Sequence, residues 1–334
     1  DSPIGLGFRV PLVVASPWTK GGWVNSEVFD HTSNLQFLEH FLEKKFGKKI
    51  SEPNISPWRR LVCGDLTSVF RPADKQTEVS LAPISRDAYV QRIYAAKEKT
   101  PPTNFEPLRA TDIARWRDSA SRHPHFLLQE EGTKPACALP YDMEVNAYVD
   151  HDRSALVVEF SIGGQLPAQK SVGVPFIAVT YNAYHDDFGN PGVWNFAASP
   201  REPLKYSWPL QGFQSGIYHV DIHGPNGFYR SFKGNTEHTN GLLPTLRQRN
   251  REQVVEIDMR KGTGTYSILD LSYGHGTLAE NSSDRRVIAV DVAASKGWYD
   301  LEIRSTGGQR YRYAGHLETG RPSITDPLMG NVKP

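Results

Sequence analysis

The sequence predicts a mixed fold: an α/β segment at the N-terminal end, followed by two related all-β sandwich modules in tandem. Three observations carry this expectation. A short apolar run, Val10–Ala15, precedes a glycine-rich stretch and a helix-forming segment. After about residue 139, strand-length β-branched and aromatic runs alternate with Gly, Pro, Asn and Asp. One hairpin pattern is written twice, 81 residues apart.

In the first segment, Val10, Leu12, Val13, Val14 and Ala15 are punctuated by Pro11 and Pro17. A run this short and apolar predicts a strand covered on both faces. Ser16-Pro17 and Gly21-Gly22 end it, because a residue before proline avoids the helical region and glycine accepts positive φ. A helix is predicted from Asp30-His31-Thr32-Ser33, with Asp30 or Ser33 as its cap and Ser33 and Gln36 at capping-box spacing. Leu35, Leu38, Phe41 and Leu42 fall at helical spacing and predict a buried face. Trp58–Phe70 reads as a further packed segment, with Leu61, Leu66 and Phe70 on a short helix face that Gly64 weakens. Arg59, Arg60 and Asp65 read as ion-paired or anion-binding, pairing being the commoner case.

Residues 71–138 read as a connection with two helices, Arg86–Lys97 behind a Ser85 cap and Thr111–Ser121. His123-Pro124-His125 follows without a third metal ligand nearby. Strands are then predicted at Met143–Val149, Ala155–Phe160, Pro175–Tyr181, Trp194–Phe196, Val254–Ile257 and Tyr266–Leu271. The repeated hairpin begins at Gly216 and again at Gly297. At this offset Tyr218 meets Tyr299, Ile222 meets Ile303, Gly227 meets Gly308, Phe232 meets Tyr313 and Gly234 meets Gly315. So many glycine and aromatic matches without a gap predict two copies of one module.

Composition narrows the function classes. The formal net charge is +1, with 38 basic and 37 acidic residues, which argues against a nucleic-acid binder. Cys63 and Cys137 allow one disulfide at most and form no metal-site pattern; two small buried residues are the simpler reading. His185-Asp186-Asp187 reads as a polar turn, since calcium binding needs more acids at regular spacing. Asn281-Ser282-Ser283 fits a glycosylation sequon. His219, His223 and His275 are scattered, and no Ser/His/Asp triad or phosphate loop is evident.

Phe8-Arg9-Val10-Pro11, Ser16-Pro17-Trp18, Gly21-Gly22-Trp23-Val24 and Phe29-Asp30-His31-Thr32-Ser33, in this order, resemble the bacterial phosphocholine-preferring phospholipase C family. That family is related to certain acid phosphatases within the alkaline-phosphatase-like superfamily. The segments Gln129–Tyr141 and His223–Arg230 resemble the first of its paired C-terminal domains. The second copy departs at its turn, where Gly307-Gly308 replaces Pro-Asn-Gly. The resemblance implies a C-terminal portion of such an enzyme. Residues 1–72 would close the catalytic phosphoesterase domain, 73–138 form a helical connection, 139–235 and 250–318 two β-sandwich modules, and 319–334 a tail.

It further implies cleavage of phosphatidylcholine or sphingomyelin to phosphocholine and a lipid alcohol, by a metal-assisted hydroxyl attack. The nucleophile and the ligands of a divalent metal would lie upstream of this chain, leaving the isolated chain inactive and no metal ligand within it. Asp30 and His31 are the candidates for a catalytic role at a helix start. Trp18 and Trp23 are the candidates for holding a choline head group or a membrane interface. Capping and plain packing are the competing readings for these four. The implied partners are phospholipid and a membrane surface, with an export or folding partner, in a secreted or periplasmic location. The alternatives are a related acid phosphatase and a non-catalytic lipid- or glycan-binding β protein.

Overall fold

The computed structural model describes residues 5–7, 9–71, 83–101, 103, 106–118, 131–163, 166, 172–181, 184–185, 192–200, 202–237, 241–330 and 332. The chain divides into two compact units, Asp1–Asp74 with Glu131–Pro334, and Lys75–Glu130. The described part is mostly β-sheet with few helices. His123-Pro124-His125 and Asp186-Asp187 lie outside the described residues.

The smaller unit carries α3 (Arg86–Ala95), continued by one tighter turn, and α4 (Ala110–Asp118). These match the two expected helices in place. In the larger unit, α1 (His31–Phe46) begins at the expected position and α2 (Pro57–Val62) follows. The apolar residues of α1 are not buried, contrary to expectation: Leu35, Leu38 and Phe41 are all exposed, and Ser33 is its one buried residue. Val10–Ala15 is likewise no buried strand. It joins no sheet, and Val10 and Val13 are 75% and 88% exposed. A strand covered on both faces needs neighbouring strands, and the described residues place none beside it. The segment Trp58–Phe70 is not one helix face either, because α2 stops at Cys63 and Leu66 takes positive φ before a short 3₁₀ turn.

The strands are β1 (Pro135–Ala136), β2 (Met143–Asp150), β3 (Ala155–Ile162), β4 (Val174–Thr180), β5 (Val193–Ala198), β6 (Leu204–Pro209), β7 (Ile217–His223) and β8 (Tyr229–Asn235). They continue with β9 (Thr245–Arg249), β10 (Val254–Asp258), β11 (Tyr266–Asp270), β12 (Thr277–Ser282), β13 (Val287–Asp291), β14 (Trp298–Ser305), β15 (Arg310–His316) and β16 (Ser323–Ile324). The alternation read from sequence is real at β2, where buried and half-buried residues alternate along the whole strand. Three strands pair as β2-β3-β6 and three as β9-β10-β13. Eight form one sheet in the order β12-β11-β14-β15-β8-β7-β4-β5. Replacing each of β2 to β8 by the strand seven places later reproduces the pairing of β9 to β15.

The two repeated hairpins, β7–β8 and β14–β15, meet in the middle of the large sheet. There β8 pairs antiparallel with β15, and Ser231 faces Arg312. Arg312 is also the residue 81 positions beyond Ser231. The Arg230–Tyr313 and Phe232–Tyr311 pairs flank it, and each is the counterpart of the other. The pairing is therefore the self-complementary contact of a two-fold axis, built within one chain. It removes one exposed edge from each copy.

The repeated glycines have a packing reason. Tyr218 lies across the ladder from Gly234, and Tyr299 from Gly315. A Cβ at Gly234 would sit 2.3 Å from the Tyr218 hydroxyl oxygen. The turns differ as the sequence did. Asn226 and Gly227 both have positive φ, as an Asn-Gly hairpin requires, whereas Gly308 alone does so in the second copy. A single hydrophobic core joins both copies, from Val145 and Phe160 through Phe232 to Ile257 and Tyr313.

Candidate functional site

Of the candidate residues, Asp30 and His31 stand at the start of α1. Asp30 is its cap: Thr32 N donates to Asp30 Oδ1 at 2.8 Å, and Asp30 N donates back to Ser33 Oγ at 3.1 Å. The capping box is thus Asp30 with Ser33, not Ser33 with Gln36. Thr32 Oγ1 also donates to Oδ1, and the Arg59 guanidinium pairs with Oδ2. Burial pushes the Asp30 carboxyl up, but the Thr32 hydrogen bonds and Arg59 outweigh it and hold it below the ordinary value. His31 is exposed at the first position of the helix.

Arg60, the neighbouring arginine, forms a two-pronged pair with Glu39 at 2.8 and 2.9 Å and also donates to Glu52 O. Both arginines are therefore engaged in ion pairs. Asp65 instead braces the following turn, accepting from Thr67 N at 3.0 Å.

Glu27 escaped the sequence reading, since one acid in Asn25-Ser26-Glu27-Val28 gives no pattern. It packs against Gly64, where a Cβ would meet its Oε1 at 2.1 Å. Ser68 Oγ donates to Glu27 Oε2 and accepts from Asn25 Nδ2. Burial, opposed by Ser68 and reinforced by Asp65, raises the Glu27 carboxyl, so it holds its proton to higher pH than a free glutamate. Cys63 is buried close to Asp30; burial first, then the Asp30 charge, pushes its thiol up to about 12. Neither Cys63 nor Cys137 forms a disulfide.

The tryptophans diverge in role. Trp23 is half-buried, and the Arg71 guanidinium covers its ring at 4.6 Å from the centroid. One aromatic face is thus already occupied by a cation of the chain itself. Trp18 is 55% exposed. The segment is tied to the β part by Val24, which bridges to Ala136, and by Tyr141, whose hydroxyl accepts from Val28 N at 2.8 Å.

A divalent metal does not fit these side chains. Both Asp30 oxygens are committed to Thr32 and Arg59, and no cluster of three metal-ligating side chains occurs among the described residues. No step through a metal is therefore assigned to this chain. On the large sheet, His219, Asp221 and Ser231 bring three triad residue types together without triad geometry. Ser231 Oγ and Asp221 Oδ1 both approach the same nitrogen, His219 Nε2, at 3.3 and 3.1 Å. A relay needs the serine and the carboxylate on opposite nitrogens. His275 pins a turn, with Nδ1 2.7 Å from Asp270 Oδ2.

A model of the bacterial phospholipase C C-terminal domain matches residues 135–235, and a model of the phosphoesterase family matches residues 1–44. The chain is 34% identical to the non-hemolytic phospholipase C of Pseudomonas aeruginosa over 99% of its length and 45% of that protein. Identity is 32% to the Burkholderia pseudomallei non-hemolytic phospholipase C, over 99% of this chain and 44% of the relative. It is 31% to the hemolytic phospholipase C of Pseudomonas aeruginosa, over 98% and 45%. The chain thus spans less than half the length of these curated relatives. Over nearly its whole length the chain is similar to bacterial phospholipases C, and residues 135–235 match the model of their C-terminal domain.

Proposed function

We propose that this chain is the C-terminal portion of a phospholipase C that releases phosphocholine from phosphatidylcholine or sphingomyelin. The supporting observation is similarity to phospholipases C along nearly the whole chain. In this reading residues 1–72 complete an alkaline-phosphatase-like catalytic domain, and 73–138 connect it to sandwich modules at 139–235 and 250–318, ahead of a tail at 319–334. The exposed apolar side chains of Leu35, Leu38 and Phe41 support the first assignment, and the repeated strand order of β2–β8 in β9–β15 supports the second.

The nucleophile and the ligands of a divalent metal belong to the rest of the parent enzyme. His31, exposed at the start of α1, is the candidate to face a phosphate oxygen, and Asp30 fixes the helix start that presents it. Trp18 is the candidate contact for a head group or an interface, and Trp23, already covered by Arg71, is the second. The enzyme would work outside the cytoplasm on a membrane surface, with a partner assisting export or folding.

The test is substrate choice by the product of the complete coding sequence. Phosphocholine appearing with diacylglycerol or ceramide supports the proposal. Turnover of phosphomonoesters with intact diesters would replace it with the acid phosphatase reading. Vesicle or glycan binding with no turnover of either would favour the non-catalytic one.

A further inference from the structure

The two copies treat one buried carboxylate differently. Asp221 on β7 and Glu302 on β14 are counterparts, 4% and 6% exposed, on the same face of the large sheet. In the second copy two guanidinium groups cover Glu302: Arg304 pairs with Oε1, and Arg310 Nε lies 3.3 Å from Oε2. Their counterparts in the first copy are His223 and Tyr229. Among the described residues no arginine pairs with Asp221. The Tyr229 hydroxyl donates to Oδ2 at 2.7 Å, and Oδ1 faces His219 Nε2 at 3.1 Å without an aligned hydrogen bond. Arg312, opposite Ser231, is committed to both Asp300 oxygens at 2.7 Å, and its guanidinium lies over one face of the Tyr229 ring, 5.6 Å from the centroid, leaving the other face to a ligand.

Burial pushes the Asp221 carboxyl up, yet the His219, Ser231 and Tyr229 side chains beside it keep it below its ordinary value, so it stays charged. Aromatic rings stand where the arginines would be. Tyr181 follows β4, is 62% exposed, and packs tilted against His219 with centroids 5.3 Å apart. Its hydroxyl feels the Asp221 charge directly. Its counterpart position beside Asp300 holds Leu271. A compact, strongly hydrated metal ion would have to reach the carboxylate, which is covered. A weakly hydrated organic cation can rest on the ring faces and draw on the charge beneath.

We propose that Tyr181, His219 and Tyr229, over the Asp221 carboxylate, form a binding site for a small organic cation bearing a quaternary or methylated ammonium group. The ligand supplies the positive charge that Arg304 and Arg310 supply in the second copy. Two sources share this chemistry, a soluble ammonium compound and a zwitterionic lipid head group.

The probe is tetramethylammonium chloride, titrated into the isotope-labelled chain against sodium chloride of equal ionic strength, with amide resonances followed. Saturable shifts confined to residues 217–223 and 229–235 are expected. Tyr229→Arg, which recreates the second copy's arrangement, should abolish them, and Asp221→Asn should weaken binding about 10-fold. Tyr181→Ala, an exposed change that cannot unfold the core, should weaken it about 3-fold. Shifts equal to those from sodium chloride, or saturable shifts that survive both Tyr229→Arg and Tyr181→Ala, would overturn the site. In a second arm, phosphatidylcholine and phosphatidylglycerol vesicles are compared. Retention on the former alone, competed by tetramethylammonium, assigns the head group as ligand; tetramethylammonium binding without retention assigns a soluble one.

Discussion

Replacing Arg230 tests how the two repeats are held together. Arg230 is fully buried on β8, beside the two-fold axis. Its guanidinium donates to Tyr229 O at 2.8 Å, Ala314 O at 2.9 Å and the Tyr299 hydroxyl at 2.9 Å. It also lies 3.9 Å from the centroid of Phe228. One side chain thus links β8, β14 and β15. Arg230→Ala removes these bonds and leaves a void that close-packed strands cannot fill, a loss of about 3–5 kcal/mol by analogy with large core truncations. Arg230→Met refills the slot and removes the cost of holding a charge away from water. It should lose no more than about 1.5 kcal/mol. Denaturant unfolding followed by tryptophan fluorescence measures both, and both repeats should lose structure in one transition. Equal losses for Met and Ala would show that the hydrogen bonds, not the volume, dominate. A wild-type-like Arg230→Ala would refute its place in a shared core.

Three further outcomes are expected. Asp30→Ala should cost about 1–2 kcal/mol locally, read as faster amide exchange over residues 32–36, because α1 loses its cap and Arg59 its partner; unchanged exchange would count against the cap. Asp258, held at about 2 chiefly by its hydrogen bond from Arg260, has a folded pKa below the unfolded one. Its contribution is therefore full above about pH 4 and lost as the pH falls through the folded value. Being near the surface it amounts to about 1 kcal/mol or less, so Asp258→Asn should differ from wild type at pH 6 and converge with it near pH 2. Cys63, buried and raised to about 12, should resist thiol reagents at pH 8 until the chain is unfolded; rapid native labelling would contradict its burial.

The parts of the fold that rest on local pattern could be read from the residues. The Asp30 helix start is written in short polar side chains, and the paired hairpins in Tyr-Gly contacts that recur at a fixed offset. The local pattern predicts no strand at β1, β6, β9, β12, β13 or β16. Segments such as Thr245–Arg249 are mostly polar, and their burial is decided by the sheet they join. Pairing of β8 with β15 is likewise a choice of edge, which no local sequence specifies. Arg230 illustrates the same limit: within Gly227-Phe228-Tyr229-Arg230 it looks like an ordinary strand residue, and only the approach of Tyr299 and Ala314 makes it a buried cross-link. Val10–Ala15 misled because apolar content signals burial without naming the partner. At the site, Asp30 and His31 were legible as a helix start, while Glu27 depended on Gly64 and Ser68, about forty residues away.

The most direct test of the account is phosphocholine release from phosphatidylcholine, measured for this chain and for the product of the complete coding sequence at equal concentration with divalent metal supplied. Negligible release by the chain and clear release by the complete product are the predicted result. Comparable turnover by the chain alone would contradict it, since the catalytic groups would then have to lie within this chain.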